Sequence, residues 1–560
     1  MLRRIGVASG LCSSHFCIWI FASSRISSCR QQQQRRTLIQ PSFDYKYIRD
    51  NAQTLLENAQ SRNVMDAQPH RVGELYNEFR RLTALVNEKR SELNSLSKEL
   101  GNLARSRSKG HKADGKTAEQ PTKSNSGLDE SGLQAAIADL RENARITKNT
   151  IQAIDANLNV IEKRLRYEAS KLPNVSHPDT PLGDESHART MKTIGTLHTV
   201  DKIPLDISDN TKPSDLDFKD HYDLALDLGI VDMEAGARVA GSRFHYWRGA
   251  GALLELALVQ YAMTRAAAAG FTPHITPDIA RSSIVDACGF RPRSGAEEDA
   301  RLNVYTDVNK DDKAEMAHNR HSAGEASQIY RVSPVAEESS SADSHADPDP
   351  LCLVATAEIP LVAMRAQQML DRRELPMKFA GLSHCFRAEA GARGRDTRGI
   401  YRLHQFTKVE LVTLALPEDS QRELCRLVDF QTALYEDLGL TFRVLQMPTY
   451  ELGASAYQKF DIEAWMPGRK AWGEISSASN CTDYQARRLG IRVRAGAAKD
   501  GSSVAAAPVF VHTLNATAVA VPRIVVALLE SFQQPDGSVV IPHVLRPWMM
   551  GMDMLVPKRH

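Results

Sequence analysis

The chain of 560 residues lacks several features by which whole classes of protein are recognised. No run approaches the roughly 20 consecutive apolar residues that a membrane-spanning helix requires, so we expect no membrane partner. The net charge is only +2, which provides no global basic field for a nucleic acid. Any nucleic-acid partner must therefore be recognised by a local patch of charge.

Cysteine is scarce and shows no pairing pattern. No two of the eight cysteines form a Cys-x-x-Cys motif, which excludes the common zinc-knuckle and thioredoxin-like patterns. Scattered thiols in a large chain indicate a reducing compartment. We expect them to be small buried side chains or to be removed with a leader. The eight are Cys12, Cys17, Cys29, Cys288, Cys352, Cys385, Cys425 and Cys481.

Acidic residues are absent until Asp44, whereas residues 1–40 contain six arginines and seven serines. This composition is typical of a mitochondrial transit peptide. The apolar stretch at 16–22 is short for a secretory signal, and four arginines and a glutamine run follow it. We therefore predict a transit peptide at 1–40 and a protein of the mitochondrial matrix; an unprocessed cytoplasmic extension is the alternative.

Two long stretches repeat apolar residues at heptad spacing, which indicates paired helices. The first stripe is Leu75, Phe79, Leu82, Val86, Leu93, Leu96, Leu100 and Leu103, with Lys89 in one heptad position. The second is Leu133, Ile137, Leu140, Ala144, Thr147, Ile151, Ile154, Leu158, Ile161 and Leu165. Residues 104–130 contain glycine, serine and Pro121, which predicts a loop. The sequence thus predicts an antiparallel coiled-coil arm at about 71–168, about 45 Å long at ~1.5 Å per residue.

The first stripe and the predicted loop after it are basic. From Arg80 to Lys112 there are nine lysines or arginines against three glutamates. A basic rod suits a phosphate backbone, but an ordinary solvated helix surface has the same composition. The arm alone does not decide between a structural coiled coil and an RNA-binding one.

The pattern changes after residue 172. A proline-containing linker occupies 171–181, and short apolar runs mixed with helices continue to the end. We therefore predict an N-terminal domain at 41–172 and one α+β domain at 173–560. Residues 293–350 look inserted, and their acidic, serine-rich part at 337–349 has few apolar residues, so we expect a disordered insert.

One segment of the second domain is especially informative. Phe386-Arg387-Ala388-Glu389 is followed, after a Gly- and Arg-rich loop, by Tyr-Arg-Leu-His-Gln-Phe-Thr-Lys-Val-Glu at 401–410. Apolar alternation on both sides of the loop predicts a hairpin. A basic loop between two strands suits a polyanion such as a triphosphate or an RNA end. A plain hairpin with an exposed basic loop remains the alternative at this point.

This hairpin resembles motif 2 of the class II aminoacyl-tRNA synthetases, in the form found in seryl-tRNA synthetases. Other segments resemble the same family in the same order, over about residues 41–551. They are Gly241–Phe244, Gly270–Pro277 (motif 1), Thr356–Glu358 (serine recognition), Glu474–Cys481 (ATP and metal), Leu514–Arg523 (motif 3) and Leu545–Pro547. The resemblance implies an antiparallel sheet flanked by helices, a homodimer through motif 1, and an arm that binds tRNA(Ser). Arg105, Arg107 and Lys109 are its candidate tRNA-binding residues.

The resemblance also implies a two-step reaction. Serine and ATP form seryl-adenylate, and the seryl group is then transferred to the 3′ end of tRNA(Ser). A carboxylate is already a nucleophile at pH 7, so the site has to position groups and neutralise charge, which arginine suits. Arg387 and Arg523 are the implied catalytic residues, and Mg²⁺, which prefers oxygen ligands, would be held by Glu474 and Ser477. The implied ATP-binding residues are Arg387, Ala388, Glu389, Phe406, Glu474, Ile475, Ser476, Ser477 and Arg523.

The amino acid must be distinguished from alanine, glycine and threonine. A site that hydrogen-bonds the substrate hydroxyl rejects an analogue without it by up to ~10⁴, because its own polar groups stay unpaired. By resemblance the serine-binding residues are Thr356, Glu358, Arg387, Glu410 and Thr517. Glu410 and Thr517 would meet the hydroxyl, and Thr356 and Glu358 the ammonium group. His404, beside the site, is expected to have a structural hydrogen-bonding role.

Two positions depart from the family pattern. Asn515-Ala516-Thr517-Ala518 replaces the usual Asn-Gly-Ser-Gly, although threonine keeps the hydroxyl. Pro522 replaces a glycine, and because proline fixes φ and removes an N–H, the backbone beside Arg523 is left open. Two alternatives to a ligase remain: a synthetase-like protein that loads a carrier protein, and an inactive RNA-binding protein. Such relatives lack or alter the arm or the site, and both look complete here.

Overall fold

The computed structural model describes residues 41–113, 130–195, 218–290, 329–332, 349–389, 399–494 and 507–558. The helices are α1 (Tyr45–Asp50), α2 (Ala52–Ser61), α3 (Pro69–Ala113), α4 (Glu130–Ser170), α5 (His221–Asp227), α6 (Met233–Ala240), α7 (Ala250–Ala268), α8 (Ser282–Ala287), α9 (Glu358–Ala363), α10 (Ser420–Asp437), α11 (Tyr484–Leu489) and α12 (Val521–Phe532). The strands are β1 (Arg189–Ile194), β2 (Val231–Asp232), β3 (Tyr246–Trp247), β4 (Thr272–Ile275), β5 (Ile279–Arg281), β6 (Arg331–Val332), β7 (Leu351–Leu353), β8 (Met369–Leu370), β9 (Met377–Phe386), β10 (Gln405–Ala415), β11 (Phe442–Gln446), β12 (Gln458–Met466), β13 (Ala471–Asn480), β14 (Arg492–Val493), β15 (Val509–Phe510), β16 (His512–Ala520), β17 (Val539–Val540) and β18 (Met554–Leu555).

An eight-stranded sheet organises the second half of the chain, in the order β1-β11-β12-β13-β16-β10-β9-β4. Neighbouring strands are antiparallel except β4 and β9, which pair in parallel at one edge. Helices α7, α10 and α12 pack against one face, and α9 lies on the other. β10 is buried over nine of its eleven residues because both of its faces are covered. The expected antiparallel sheet flanked by helices is confirmed.

The two long helices α3 and α4 bury the predicted heptad stripes against each other. Leu75, Leu82 and Val86 of α3 are buried, as are Ile151 and Leu165 of α4. Arg90 pairs with Asp155, and Glu92 lies beside Thr147, so the helices run antiparallel. Their 45 and 41 residues correspond to about 68 and about 62 Å at ~1.5 Å per residue, longer than the stripes alone suggested.

The loop predicted at 104–130 is too long. Helix α3 continues through Ala113 and α4 begins at Glu130, which leaves 114–129 outside the described residues. Residues 104–113 contain no proline and several alanine, arginine and lysine residues, so one glycine does not stop the helix. Pro121 comes only after this point.

The base of the helix pair packs on the rest of the protein. Leu75, Leu82 and Leu165 belong to one apolar cluster with Ile48 and Leu55 of the short N-terminal helices. Arg62, which is buried, donates to the carbonyl oxygens of Asn174 (2.6 Å) and Ala456 (3.0 Å), and also to that of Gly453. Only the distal part of the arm is therefore independent of the sheet-containing region.

The prediction of disorder across 293–350 is wrong for residues 329–332, inside this range, and for Asp349 near its end. Residues 331–332 form β6, which pairs with β7, and the carboxylate of Asp349 accepts hydrogen bonds from Ser283. These residues are held by pairing to a strand and a helix, which local composition does not reveal. Residues 291–328 and 333–348 lie outside the described residues, as does the predicted transit peptide at 1–40.

Two expectations from composition can be compared with the described residues. Cys288, Cys352, Cys385 and Cys481 are buried as expected, whereas Cys425 is exposed. None of the helices in the described ranges is both long and apolar enough to cross a membrane.

Candidate functional site

Five adjacent strands present polar side chains on the same face of the large sheet. Successive side chains alternate between faces, so Phe406, Lys408 and Glu410 of β10 share one face. Directly paired residues also share a face, which adds Thr517 of β16 opposite Glu410. On β10 the side chains of this face come from every second residue, and the pairing of strands far apart in sequence brings the polar groups together.

A cleft opens where the two strands of the motif 2 hairpin end, and we call it the arginine cleft. It is lined by Arg387, Glu389, Tyr401, Arg402, Leu403, Phe406, Pro522 and Arg523. The guanidinium carbon of Arg387 lies 5.3 Å from the centroid of the Phe406 ring. Residues 390–398, the basic loop that joins these strands, lie outside the described residues.

His404 positions the backbone of Arg387, as the structural role predicted for it requires. The Arg387 N–H donates to the His404 carbonyl at 2.9 Å, and His404 Nδ1 lies 2.9 Å from the Arg387 carbonyl oxygen. The Tyr330 hydroxyl lies 3.1 Å from the same nitrogen. Tyr330 belongs to the stretch expected to be disordered, so this support was not foreseen.

Glu389 has an uncommon backbone conformation at the rim of the cleft. Its φ is +44°, and Arg243, whose φ is +62°, donates to its carbonyl oxygen at 3.4 Å. Arg402 donates to its carboxylate, also at 3.4 Å. A non-glycine residue in this region costs of order 1–3 kcal/mol and persists where the surroundings fix it, often at functional sites. Ala388, between Arg387 and Glu389, is half-buried.

Arg523 and Glu474 form an ion pair on the other side of the cleft, with 2.9 Å between guanidinium nitrogen and carboxylate oxygen. Burial disfavours the charged carboxylate, but the nearby charges of Arg523 and Lys459 outweigh it and lower the pKa of Glu474 to about 2. The Tyr401 hydroxyl donates to the Glu474 carbonyl at 2.9 Å. Glu474 is therefore ionised at neutral pH.

Pro522, whose fixed φ and missing N–H left the backbone beside Arg523 open, fits the helix start without distortion. It lies in the first turn of α12, where no intrahelical partner exists for the N–H that proline lacks. Ala516 and Ala518, which replace family glycines, are fully buried on the helix-covered face of β16. These alanine and proline replacements thus lie off the polar face of the sheet, where Thr517 in place of the family serine keeps the hydroxyl.

A β-bulge sets which residues of β13 face the cleft. Glu474 is paired with Glu463 and Ser477 with Asp461, and the register shifts between these pairs. Asp461 and Glu463 are two positions apart on β12, so the bulge places Glu474 and Ser477 on the same face although they are three positions apart on β13.

The two residues between Glu474 and Ser477 are turned into the core. Ile475 is fully buried in the apolar core, and the Ser476 hydroxyl donates to the Thr517 carbonyl at 2.7 Å. Both were expected to bind ATP. Their side chains have packing roles instead, which leaves only main-chain atoms for a nucleotide.

Glu474 and Ser477 present oxygen ligands of the kind that Mg²⁺ prefers. Asp461 is 4% exposed, and its Oδ1 has no hydrogen-bond partner among the described residues, although Lys459 pairs with its other oxygen at 2.8 Å. An unpaired buried carboxylate oxygen opposite Ser477 fits a hydrated cation. No group of three or more His, Cys, Asp or Glu side chains that could hold a metal occurs within the described ranges.

The polar floor, which we define as Glu358, Lys408, Glu410 and Thr517, lies deeper and is almost completely buried. The Thr517 hydroxyl donates to Glu410 Oε2 at 3.1 Å, and the Lys408 ammonium pairs with the same oxygen. Lys408 Nζ also lies 3.5 Å from Thr517 Oγ1. The sequence predicted Glu410 and Thr517 together, and the structure places them in direct contact.

Glu358 completes the floor from the start of α9. Its Oε1 accepts from Gln485 at 2.7 Å and from Asn515 at 2.9 Å, and its N–H donates to the Thr356 hydroxyl at 3.2 Å. Burial, and then the charge of Glu410, raise the pKa of Glu358 to about 7. An incoming ammonium group would favour the charged form of this carboxylate.

Sequence reasoning missed four groups at this site: Lys408, Asp461, Gln485 and Asn515. Lys408 and Asn515 are two residues from the predicted Glu410 and Thr517, so strand alternation could have found them. Asp461 and Gln485 reach the site through strand pairing and helix packing, for which the sequence gives no signal.

The remaining predicted residues lie away from the sheet face. The distal part of α3 contains the predicted tRNA-binding residues Arg105, Arg107 and Lys109. Arg105 is exposed, and the side chains of the other two lie outside the described residues. The segment expected to form a dimer interface contains the edge strand β4, whose Ile275 is 85% exposed.

Comparison with known proteins agrees with this arrangement. Residues 43–131 match the model of the seryl-tRNA synthetase N-terminal domain, and residues 340–532 match that of the class II tRNA synthetase core domain (G, H, P, S and T). The serine–tRNA ligase of Rubrobacter xylanophilus is 35% identical over 92% of this chain and 100% of its own length. That of Streptomyces coelicolor is 39% identical over 75% and 84%.

Two solved structures are also similar. The seryl-tRNA synthetase of Pyrococcus horikoshii, solved in complex with ATP, has a TM-score of 0.68 and 29% identity over 92% of this chain and all of its own. The cytoplasmic serine–tRNA ligase of Naegleria fowleri, in complex with AMP, has a TM-score of 0.65 and 25% identity over 93% of this chain and all of its own. The chain therefore belongs to the seryl-tRNA synthetases, the serine–tRNA ligases built on the class II synthetase core.

Proposed function

We propose that the polar floor and the arginine cleft activate serine with ATP and then transfer the seryl group to the 3′ end of tRNA(Ser). The observation that carries this proposal is the direct contact of Glu410 and Thr517, buried next to a cleft lined by Arg387 and Arg523. A floor that hydrogen-bonds a small hydroxyl beside a phosphate-binding cleft suits serine and ATP.

In this proposal the arginine cleft holds ATP. Arg387 binds the α-phosphate and the serine carboxylate, Phe406 stacks on adenine, and Arg523 binds the γ-phosphate. Glu389 and the backbone at Ala388 contact the adenine side. The ATP and AMP present in the two similar solved structures support a nucleotide here. The attack of the serine carboxylate on the α-phosphorus releases pyrophosphate and needs no general base, because the nucleophile is already ionised.

Serine is held by the floor. Thr356 and Glu358 receive the ammonium group, whose positive charge offsets the burial of the Glu358 carboxylate. Glu410 and Thr517 take the hydroxyl. Alanine would leave these buried groups unpaired, which is the strongest available basis for rejecting it.

Mg²⁺ would be held by Glu474 and Ser477, and it would neutralise phosphate charge when bound. The lowered pKa of Glu474 and the oxygen ligands brought together by the β13 bulge support this assignment. Arg523 lies against Glu474, so Mg²⁺ and the Arg523 guanidinium would bind the same phosphate groups.

Comparing two rates in one preparation tests this function. Serine-dependent ATP–pyrophosphate exchange reports activation, and charging of tRNA(Ser) reports transfer; alanine and threonine serve as competing substrates. Exchange and charging, both specific for serine, are expected. Exchange without charging would favour a carrier-loading relative, and the absence of both would favour an inactive RNA-binding protein.

The paired helices α3 and α4 would bind tRNA(Ser) as a coiled-coil arm, with Arg105, Arg107 and Lys109 as phosphate contacts. The excess of basic residues on α3 supports this role. A homodimer through motif 1 is proposed from the edge strand β4, because a strand with one open edge and an exposed isoleucine favours association.

Delivery to the mitochondrial matrix is proposed from the acid-free, arginine-rich segment at 1–40. A carboxy-terminal fluorescent fusion is expected to enter mitochondria, and deletion of residues 1–38 to leave it in the cytosol with unchanged activity in vitro. A truncated protein that still enters mitochondria would place the signal elsewhere.

A further inference from the structure

Lys408 is a buried cation that the proposed reaction has not used. It lies on β10 between Phe406 of the arginine cleft and Glu410 of the polar floor, and it is 5% exposed. Its ammonium group pairs with Glu410 Oε2 and lies 3.5 Å from the Thr517 hydroxyl. Burying an ammonium group costs several kcal/mol unless it is well paired, so its position next to the two proposed hydroxyl ligands needs a reason.

The contacts of Glu410 give that reason. Among the described residues, the hydrogen bond from Thr517 and the ion pair with Lys408 both involve Oε2 of this carboxylate, and no side-chain hydrogen bond ends on Oε1. Oε2 is thus fixed by two donors from two strands, and Oε1 remains to accept a hydrogen bond from a substrate. A carboxylate fixed in this way presents one acceptor in one orientation.

The charges around Glu410 favour a cation at this place. The negative charge of Glu410 on β10 raises the pKa of Glu358, at the start of α9. The positive charges of Lys408 and Arg387 lower it. Arg387 lies at the cleft, where the proposed function engages it with phosphate. The serine ammonium offsets Glu358 in the proposed function, so among the described residues Lys408 remains as the cation for Glu410. Ser383 and Cys385, which lie on the same face of β9, are buried and carry no charged side chain.

We infer that Lys408 is a positioning residue that fixes Glu410 as the acceptor for the serine hydroxyl and so sets the preference for serine over alanine. This inference rests on the proposed function and adds a determinant of its specificity. Lys408 acts through Glu410 rather than on the nucleotide. Its removal should therefore raise the KM for serine and leave the KM for ATP almost unchanged.

The test measures kcat/KM for serine and for alanine in ATP–pyrophosphate exchange with the full-length protein. Lys408→Met is expected to lower the serine-to-alanine ratio at least ~30-fold, a loss within the range that one buried polar contact contributes to discrimination. Lys408→Arg, which keeps the charge, is expected to recover most of the ratio. If Lys408→Met does not fold, Lys408→Gln removes the charge but keeps an N–H donor, and a comparable loss is expected.

Lys378→Met is the matched control. Lys378 is on the neighbouring strand β9 but on its opposite face, and its ammonium lies 3.8 Å from Glu423, which is 1% exposed. This variant also removes a lysine that pairs with a buried glutamate. It should change the stability of the protein without changing the serine-to-alanine ratio.

The outcomes separate the inference from the proposed function. Wild-type protein without serine-dependent exchange would reject the proposed function itself. If the wild type is active and folded Lys408→Met keeps its serine-to-alanine ratio within threefold, Lys408 does not set specificity. A rise in the KM for ATP with the ratio unchanged would likewise overturn the inference, because Lys408 would then act on the nucleotide.

Discussion

The paired helices and the polar floor use charge in opposite ways. On α3 and α4, ion pairs such as Arg90–Asp155 and Arg145–Glu142 are exposed, and the apolar stripe between the helices is buried. In the floor, Lys408 and Glu410 are themselves buried; they pair with each other on β10, and Glu410 also accepts from Thr517, which is more than 100 residues away on β16. Exposed pairs contribute about 0–1 kcal/mol, whereas breaking a buried pair costs about 3–5 kcal/mol.

This difference assigns different tasks to the two regions. The helices are stabilised by local apolar contacts, so their exposed charges are available to a polyanion. Burying the charges of the floor costs free energy of desolvation. In return, a desolvated acceptor discriminates between small substrates better than an exposed one. Variants in the floor should therefore change activation, and variants in the distal helices should change only transfer.

Arg387→Ala is expected to give the largest effect, a loss of activation on the order of 10⁴-fold, because no other group at that position supplies a bidentate fork for phosphate. Lysine should restore little, since it lacks that geometry. Exchange rates of both variants measure this, with Arg443→Ala as a control, because Arg443 pairs with Glu463 at 2.7 Å near the edge of the sheet. Full recovery by lysine would show that charge alone matters.

Removal of the distal arm tests most directly whether the helices act only in transfer. Replacing residues 93–146 with a short Gly-Ser link keeps Leu75, Leu82 and Leu165 in their cluster with the N-terminal helices. Exchange should stay within about twofold, and charging should fall on the order of 10³-fold because the basic residues proposed to bind tRNA phosphates are removed. Removing the whole of 75–165 should in addition lower the melting temperature. If charging survives the distal deletion, the arm does not bind tRNA; if exchange is lost, the regions are coupled.

Glu410→Ala is expected to lower serine-dependent exchange at least about a hundredfold, or ~2.7 kcal/mol. It removes the acceptor from the floor and leaves Lys408 buried without its carboxylate. The KM for ATP should remain nearly unchanged, because the arginine cleft is intact. Activity within threefold of the wild type would exclude Glu410 from serine binding.

The raised pKa of Glu358, about 7, predicts a smaller, pH-dependent effect. The folded protein without serine holds a proton on Glu358 that the unfolded chain releases near pH 4.5, so this group's contribution to stability falls as pH rises towards 7. In the proposed function the serine ammonium binds the charged form of Glu358, so the KM for serine should fall about tenfold between pH 6 and pH 8. Glu358→Gln should flatten this dependence; an unchanged slope in that variant would assign it to another group.

Charge reversal on the arm should give the smallest effect. Replacing Arg105, Arg107 and Lys109 by glutamate should weaken tRNA binding and reduce its salt dependence by about one unit of slope for each phosphate that the arm no longer binds. Arg90→Glu is the control, since its guanidinium already pairs with Asp155 at 3.1 Å. Equal slopes for the triple variant and the control would remove these residues from the interface.

The sequence by itself determined the features that depend on neighbours along the chain. The heptad stripes determined two paired helices, because residues three and four apart meet on one helix face. Alternation determined the strands of the motif 2 hairpin. Ordered motifs predicted Arg387, Glu410 and Thr517 as a set before any contact between them was known.

Only the tertiary structure decided how distant segments meet. The bulge that aligns Glu474 with Ser477 and turns Ile475 into the core depends on the register with β12. Tyr330 supports His404 from a stretch whose composition suggested disorder. The position of Lys408 between two carboxylates depends on β10, β16 and α9 packing together. Local propensity carries no information on such contacts, because their free energy arises only when segments far apart in sequence exclude water from the same small volume.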